Sequence, residues 1–385
     1  MVHGRSRRMI HVITPGDHYS PSTGSATVSV VHGLSAARPL DTPRPAVVVA
    51  EGTYPDRYAS ADIIEFAERP SRRYDRYADA VRSRLGGTRR RARDRYEAAL
   101  EGQASWDPAF VIGHNAVQLI PSIDADRHVP VLYAHNDLLR TYARREAFET
   151  LSRAAAIIAV SSYLADRLRT SLPRELHDRI EVVVNGVDVA AFDSPPRSRR
   201  ERLEVVLVGR LVPDKGADVL LDALIRLGRS DIHTTIIGSE GFDARAPLSP
   251  YERALRRVAE PLGDLVSFLP FQPRQRVTAF LGNADVVVVP SRWPDPCPLT
   301  VLEGMAAGAA VIASDIGGIP EVSGGAGLLV PAGNADALAE ALASMAEEPS
   351  ALHQLQGAAR ERSRRRDWSV VARELADVLG QKQPR

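Results

Sequence analysis

The sequence LEVVLVGRLVPDKG at residues 203–216 begins as an apolar, β-branched run and ends in a loop that contains two glycines. The run Leu203–Val208 predicts a buried strand, and a helix-like stretch follows the loop. Gly209 allows the backbone to approach a ligand closely. Arg210 and Lys215 place two cations near a helix start, where the helix dipole also favours anions. The segment therefore predicts a strand–loop–helix unit that binds an anionic group such as a phosphate.

Short apolar runs alternate with helix-like stretches on both sides of this unit. They predict buried strands at Met9–Ile13, Ala46–Ala50, Phe110–Gly113, Val129–Ala134, Ala156–Val160 and Ile180–Val184, and again at Leu203–Val208, His233–Ile237, Leu265–Leu269, Val286–Val289, Ala310–Ala313 and Gly327–Val330. A polar, proline-containing stretch, Ser194–Arg202, separates the two series. This organisation predicts an α/β protein with two Rossmann-like, doubly wound domains, residues 1–195 and 196–366. Their ligands are expected at the carboxyl ends of the strands, in a cleft that the two domains face.

An amphipathic helix is predicted near the end of the chain, within residues 367–385. Its apolar residues recur at mostly helical spacing, so one face of the helix should be buried. The sequence does not decide which domain this face covers, and the domain assignment provisionally places it on the first.

The composition sets limits on the class of protein. The chain has 385 residues, of which 44% are hydrophobic and 25% are charged, as is usual for a globular protein. Its net charge of +1 does not indicate a nucleic-acid partner. Cys297 is the only cysteine, which excludes an intramolecular disulfide. No apolar run approaches the ~18–20 residues of a membrane-spanning helix, so a cytoplasmic location is expected.

A second loop, PSRWPDPCPLTVLEG at residues 290–304, follows a predicted strand of the second domain. Pro298 suits the first position of a helix, and the N–H groups of Leu299 and Thr300 would then be available to an anion. Glu303 lies one turn inside that helix, where its carboxylate can accept two hydroxyl hydrogen bonds, such as those of a ribose diol. Asp295 lies in the loop, within reach of a sugar hydroxyl. The alternative is that Asp295 only caps the loop and that Glu303 is solvated.

Together, these loops resemble the retaining glycosyltransferases of family 4, which have the GT-B fold. The segments that carry the resemblance are Gly209-Arg210-Leu211…Lys215-Gly216, Asp295…Glu303, Ile237–Gly241, Ser314–Glu321, Gly327–Asn334, Ala159–Tyr163 and Val184–Asp188 with Phe192. They cover most of residues 155–345, whereas residues 37–128 show little that can be aligned. The resemblance implies a transferase that uses a nucleotide-sugar.

The resemblance also implies roles for residues of the second domain. Arg210 and Lys215 would hold the donor diphosphate and stabilise its developing charge, and Glu303 would bind the ribose. Asp295 stands where the family has a glutamate that contacts the donor sugar, so its side chain is one methylene shorter. Pro298 replaces a frequent glycine and removes one N–H donor. The other residues expected near the donor are Gly209, Gly238, Leu299, Thr300 and, from the first domain, Gly24.

The first domain is expected to bind the acceptor. Gly24 lies in a loop that resembles the family's glycine pair, although Ser22 or Thr23 could equally be an ordinary helix N-cap. His135 follows a strand and is assigned to positioning of the transferred sugar, because a front-face retaining mechanism needs no protein nucleophile. His114 and Asn136 are further candidates for contact with the acceptor.

The resulting hypothesis is a metal-independent, retaining hexosyltransferase that needs no cofactor. Its donor is expected to be a UDP-sugar, with GDP- and ADP-sugars left open. Its acceptor is a glycan, a glycolipid or a small molecule, in surface polysaccharide or natural-product biosynthesis. The pair Asp124 and Asp126 is interpreted as chance and not as a metal site. Two alternatives remain: a nucleotide-sugar-binding subunit without turnover, and a sugar-nucleotide epimerase of the same fold.

Residues 69–95 are unusually rich in arginine. One interpretation is peripheral contact of Arg69–Arg95 with an anionic membrane at the inner face. The other is a solvated basic helix, which the composition of this arginine-rich chain favours.

Overall fold

The computed structural model describes residues 7–13, 16–68, 79, 89–192 and 202–382. The chain divides into two compact units. The first comprises residues 1–185 together with 368–385, and the second comprises residues 186–367. The first unit thus ends before residue 195, the predicted boundary, which lies outside the described residues. The terminal helix belongs to the first unit.

Within its described residues, the first unit contains a seven-stranded parallel sheet in the order β3-β2-β1-β4-β5-β6-β7. The strands are β1 (Arg8–Val12), β2 (Ala46–Ala50), β3 (Asp62–Phe66), β4 (Ala109–His114), β5 (Val129–Ala134), β6 (Ala156–Ala159) and β7 (Ile180–Val182). The helices are α1 (Ala26–Ala36), α2 (Arg90–Ala99), α3 (Arg144–Leu151), α4 (Ser162–Ser171) and, after the second unit, α12 (Trp368–Gly380). The central strands are buried along their whole length, as both faces of a parallel sheet require.

The described part of the second unit contains a six-stranded parallel sheet in the order β10-β9-β8-β11-β12-β13. Its strands are β8 (Leu203–Val208), β9 (Ile232–Ile237), β10 (Val266–Leu269), β11 (Val286–Val289), β12 (Ala310–Ser314) and β13 (Leu328–Val330). Its helices are α5 (Ala217–Leu227), α6 (Pro250–Ala259), α7 (Arg274–Asn283), α8 (Leu299–Ala306), α9 (Ile319–Ser323), α10 (Ala335–Glu347) and α11 (Pro349–Arg364). Its core consists mainly of the apolar faces of β8, β9, α5 and α10.

The strand orders confirm the predicted doubly wound architecture. In the first sheet the chain moves outward from β1 in one direction and then returns to the other side of β1 with β4. In the second sheet, β8 and β11 have the same relation. These are the topological switch points, where the loops that follow two neighbouring strands diverge. Ligand sites are therefore expected beyond the carboxyl ends of β1 and β4 and of β8 and β11.

Three local predictions are corrected by the structure. Strand β3 was not predicted, because its sequence DIIEF is short and partly polar, as suits a sheet edge. Helix α1 is capped by Ser25, whose Oγ accepts a hydrogen bond from the N–H of Val28, and not by Ser22 or Thr23. Pro298 is the N-cap of α8, with an extended ψ of 120°, and not its first helical residue.

Helix α12 is joined to the first unit by a tight contact at its first residue. Trp368 is 5% exposed, and its indole ring lies where a Cβ on Gly33 of α1 would be. Glycine is a poor helix former, so its presence in the interior of α1 needs a local reason. The indole ring supplies that reason, because only a residue without a side chain leaves room for it.

We predict that Gly33→Ala destabilises the first unit by about 1–3 kcal/mol, since the added methyl group overlaps the Trp368 ring. The matched control is Gly357→Ala in α11, where a Cβ meets nothing within 4 Å. That change should stabilise the protein by up to ~1 kcal/mol through helix propensity alone. Urea unfolding of the two variants and the parent measures both effects. Equal or favourable effects of both substitutions would contradict the packing argument.

Candidate functional site

The loops that follow β8 and β11 are joined by an ion pair. Lys215 Nζ donates a hydrogen bond to Asp295 Oδ2 at 2.6 Å. The side chains of Lys215 and Asp295 are 31% and 16% exposed, so the pair faces partly towards solvent. Because such pairs contribute only about 0–1 kcal/mol to stability, the main effect of this contact is to position the two groups. The structure thus brings together a cation and a carboxylate that the sequence analysis proposed for one site.

Close approaches of the backbone hold the same loops in place. A Cβ on Gly216 would overlap the carbonyl oxygen of Pro290, and a Cβ on Gly238 would overlap that of Gly209. Gly216 and Gly238 also have φ values of 71° and 143°, which residues with side chains rarely adopt. The carbonyl oxygen of Asp214 accepts hydrogen bonds from the N–H groups of Arg292 and Trp293. Gly238 therefore has a packing role at the strand ends, in addition to any contact with a donor.

Arg210 has a different environment from Lys215. Arg210 is exposed, and it forms no ion pair with any residue in the described part of the chain. A Cβ on the neighbouring Gly209 would meet nothing within 4 Å, so there is room for an approaching group on that side of the backbone, while the N–H of Gly209 is bonded to the carbonyl oxygen of Ile237. The loop therefore presents one unneutralised guanidinium beside accessible backbone, which is suitable for an anionic oxygen.

Glu303 is held by a residue that the sequence analysis missed. Glu303 is 8% exposed, and its Oε1 lies 2.8 Å from a terminal nitrogen of Arg274, the first residue of α7. The alternative interpretation of Glu303 as a solvated residue is therefore wrong. Nothing in the sequence pairs Arg274 with Glu303, because 28 intervening residues form α7, β11 and the loop after it.

Leu299 and Thr300 are half-buried at the start of α8, where the first N–H groups of a helix have no partner within the helix.

The loop that holds Asp295 is fixed by further contacts. The N–H of Gly318 donates to the carbonyl oxygen of Asp295 at 2.9 Å, and the N–H of Cys297 donates to its Oδ1 at 3.3 Å. Gly317 has a φ of 64°, and a Cβ there would lie 2.7 Å from the Asp295 carbonyl oxygen. Asp295 thus does cap its own loop, as the alternative interpretation held, while its Oδ2 also bonds to Lys215.

In the first unit, three histidine rings form a hydrogen-bonded chain across neighbouring strands. His11 of β1 contacts His114 of β4 through Nδ1 and Nε2, which are 2.9 Å apart. His114 in turn contacts His135, just after β5, through Nδ1 and Nε2 at 2.8 Å. His11 is a further residue that the sequence analysis missed, although a histidine inside an apolar strand was a visible signal. This chain of three histidine rings spans the switch point between β1 and β4.

Burial keeps these rings neutral. Desolvation lowers the pKa of His11 to about 4 and that of His135 to about 3. Desolvation also lowers the pKa of His114. Repulsion from a positive charge on His11 or His135 would lower the pKa of His114 further, by a smaller amount. A neutral imidazole has one N–H donor and one acceptor nitrogen. At neutral pH the chain therefore offers hydrogen bonds without a formal charge.

The structure gives different environments to the remaining predicted residues of the first unit. His114 is completely buried, which corrects its predicted direct contact with an acceptor: its ring nitrogens face His11 and His135. Asn136 is exposed directly after His135, and Gly24 is exposed directly before the cap of α1. Asn115, with a φ of 53°, accepts a hydrogen bond from the N–H of His135 through Oδ1 at 2.7 Å.

Two further observations concern metals and membranes. Asp124 Oδ1 accepts a hydrogen bond from the N–H of Asp126, which is the pattern of a local turn. Across the described ranges, no group of three or more histidine, cysteine, aspartate or glutamate residues has a metal-binding arrangement. No helix in that part of the chain combines the length and the apolar character that crossing a bilayer requires.

Comparison with known proteins defines the class to which this architecture belongs. The fold resembles that of HepE from Anabaena, solved in complex with UDP, with a TM-score of 0.73 and 18% identity over 97% of this chain and 100% of that one. Sucrose-phosphate synthase from Thermosynechococcus elongatus gives a TM-score of 0.74 and 18% identity, over 97% and 99% of the two chains. Both are similar in fold, and the two-sheet architecture is that of the GT-B glycosyltransferases.

The sequence comparisons indicate which group of glycosyltransferases the chain resembles. The model of the family described as glycosyl transferases group 1 matches residues 190–362. Phosphatidyl-myo-inositol mannosyltransferase of Mycolicibacterium smegmatis is 34% identical over 209 residues, 52% of this chain and 51% of that protein. Glycogen synthase of Mycobacterium tuberculosis is 29% identical over 307 residues, 73% and 72% of the two chains. The comparisons support a group 1 glycosyltransferase, an enzyme of the transferase class.

These relatives match this chain over only part of their length, so their activities are not assigned to it directly. The chain spans 57%, 51% and 66% of the lengths of the first three curated relatives. The family model, residues 190–362, lies within the second unit, residues 186–367, and leaves the first unit unmatched. The activity, donor and acceptor of the whole protein are therefore matters for proposal.

We predict that the free energy of unfolding of the first unit falls as the pH is lowered from about 6.5 towards 4. The unfolded chain protonates histidine near 6.5, whereas folded His11 resists protonation down to about 4, so the unfolded state binds more protons in this range. Each such histidine adds a slope of up to ~1.4 kcal/mol per pH unit.

The measurement is urea unfolding at several pH values for the parent, His11→Asn and His353→Asn. His353 is exposed and outside the chain of rings, so its variant should keep the parental slope. A parental slope in His11→Asn as well would show that His11 does not titrate in this way.

Proposed function

We propose that the protein is a retaining glycosyltransferase whose second unit binds a nucleotide-sugar and whose first unit binds the acceptor. In the reaction, the bond between the sugar C1 and the diphosphate oxygen breaks, and a bond forms between C1 and an acceptor hydroxyl oxygen on the same face. The hydroxyl proton passes to the leaving diphosphate. No covalent bond to the protein is needed, so the side chains bind, orient and stabilise charge.

The observation that carries this proposal is the set of cations at the switch point between β8 and β11. Lys215 is held at 2.6 Å from Asp295, and Arg210 is exposed beside the open backbone of Gly209. Two cations near a helix start are suited to a diphosphate that gains negative charge as the glycosidic bond breaks. Asp295, the partner of Lys215 in this ion pair, is proposed to accept a hydrogen bond from a hydroxyl of the donor sugar.

The donor is proposed to be a UDP-sugar. Support comes from the fold relative HepE, which was solved with UDP and with UDP-glucose. Buried Glu303, held by Arg274, is proposed to accept the two hydroxyls of the ribose. That contact is common to UDP-, GDP- and ADP-sugars, so the choice of base is left to experiment. No metal or cofactor is part of the proposal, because the cations supply the charge that a metal would.

We predict that Lys215→Ala lowers kcat/KM for sugar transfer by ~10²–10³-fold, the usual cost of removing one group that stabilises developing charge. The matched control is Lys382→Ala, the same change at the only other lysine, which pairs with Glu181 in the first unit. Transfer is measured with a panel of UDP-, GDP- and ADP-sugars and acceptors, and nucleotide binding by calorimetry. Because Lys215→Ala leaves the Asp295 carboxylate unpaired, Lys215→Ala/Asp295→Ala separates lost attraction from new repulsion.

The same panel separates the alternatives. Nucleotide binding without transfer or hydrolysis in the parent would favour a binding subunit. Conversion of one nucleotide-sugar into its epimer without an acceptor would favour an epimerase. Unchanged turnover in Lys215→Ala would contradict the proposed site.

We predict that Arg274→Gln weakens nucleotide binding about tenfold or less. The change removes the charged partner of Glu303 and with it the fixed position of that carboxylate. Arg276→Gln is the control, since Arg276 is exposed on the same helix. A smaller loss with 2′-deoxy-UDP than with UDP would show that Arg274 acts through the ribose contact. Equal losses with both nucleotides would contradict that role.

The acceptor is proposed to be a glycan, a glycolipid or a small molecule, with the protein in the cytoplasm; a glycolipid acceptor would bring it to the inner membrane face. Most of the basic segment lies outside the described residues, which include only position 79 and positions 89–95 of it. Arg89 is engaged within the first unit: it pairs with Glu146 at 2.8 Å and lies over the Tyr142 ring. Sedimentation with anionic vesicles should therefore compare Arg91→Gln with the parent and leave Arg89 intact. Binding that salt does not weaken would contradict this contact.

A further inference from the structure

The chain of histidines in the first unit has a property that follows from its atom order. His11 uses Nδ1, His114 uses both nitrogens, and His135 uses Nε2. Each neutral ring has one N–H and one bare nitrogen, and each link needs one donor and one acceptor. The rings therefore cannot choose their tautomers independently.

Only two proton arrangements satisfy both links. In one, all three rings have the proton on Nδ1, so His11 donates to His114 and His114 donates to His135. In the other, all three have it on Nε2, so His135 donates to His114 and His114 donates to His11. Any mixture leaves at least one link with two donors or two acceptors. A buried polar group without a hydrogen-bond partner is unfavourable, which disfavours every mixture.

His135 is the last of the three hydrogen-bonded rings, and one of its ring nitrogens is not used within them. Its Nε2 faces His114, so Nδ1 is the nitrogen that remains for another group. His135 is partly exposed, whereas His11 and His114 are buried. Nδ1 is an N–H donor in the first arrangement and a bare acceptor in the second.

We propose that His11 and His114 are positioning residues that couple the tautomer of His135 to their own, so that all three rings hold the proton on the same nitrogen. Through this chain they determine whether Nδ1 of His135 donates to or accepts from a sugar hydroxyl. The inference rests on the proposed function for the identity of that hydroxyl, but the shared tautomer does not depend on it.

The surroundings of the chain favour one rigid arrangement. The rings of His114 and His135 both stack on Tyr133, with centroids 5.2 and 4.8 Å away. The side chain of Asn115 holds the backbone N–H of His135. Burial excludes water from the inner links, so no solvent donor or acceptor competes with the ring nitrogens there. The rings are also neutral, because burial lowers each pKa.

The first experiment reads the tautomers directly in the full chain. Long-range ¹H–¹⁵N spectra of protein labelled at its ten histidines distinguish protonated from bare ring nitrogens. Signals are assigned by their loss in single variants. The expected result at pH 7 is the same tautomer in His11, His114 and His135. Different tautomers among the three, or a charged ring, would overturn the proposal.

The second experiment removes the middle ring of the three histidines. In His114→Leu, the nitrogens of His135 should shift towards intermediate values, because the ring can then exchange between its two tautomers. In the control, His353→Leu, the signals of the three rings should not change. If His135 keeps its parental tautomer in a folded His114→Leu variant, His114 does not set it, and the proposal fails.

The third experiment asks which nitrogen of His135 acts. An asparagine side chain places a polar atom near the position of Nδ1, and a glutamine places one near Nε2. We predict that His135→Asn retains ~10-fold more kcat than His135→Gln, with similar KM for the donor. A higher kcat in His135→Gln would assign the role to the inner link and overturn the assignment to Nδ1. Absence of transfer by the parent would refute the proposed function and leave the spectroscopic result standing.

Discussion

Parallel strand pairing is the constraint on which the rest of this structure depends. Each strand must be reached through a crossover, so all carboxyl ends lie at one edge of a sheet. Where the winding direction changes, the loops after two adjacent strands part and leave room between them. In the second unit that place is between β8 and β11, and Lys215 and Asp295 meet there. In the first unit it is between β1 and β4, and His11 and His114 meet there.

Topology brings these loops together, but backbone contacts determine how closely they approach. At Gly216 and Gly238 a carbonyl oxygen of another loop occupies the place of a Cβ. Any side chain would have to push a neighbouring loop away, and with it the residue that the loop carries. Moving the Pro290 carbonyl, for example, would displace the segment that leads to Asp295. The glycines are therefore part of what fixes the distance between the two charged groups.

The sequence predicted the features that depend on local pattern. Apolar β-branched runs predicted every strand of the described residues except β3, because a strand buried on both faces must be apolar throughout. The loop cations and carboxylates were found because each follows such a run. The partners of these residues were not predictable in the same way. Arg274 meets Glu303, and His11 meets His114 across 103 positions of sequence, only because separate elements pack side by side. Predictions of helix starts also erred by one to three residues at Ser25 and Pro298, since several polar residues there can cap.

The two switch points solve different electrostatic problems. In the second unit, ionic groups keep some contact with solvent, so their desolvation cost is limited and the charge remains available to an anion. In the first unit His11 and His114 are buried, and an ionised chain of three adjacent rings would combine desolvation with mutual repulsion. Neutral imidazoles avoid both costs, and the directional donor–acceptor order replaces charge as the means of recognition. A diphosphate requires the first solution, whereas an uncharged hydroxyl is matched by the second. The proposed roles follow the same physical division: the loop cations of the second unit bind the diphosphate, and the histidine chain of the first unit contacts a sugar hydroxyl.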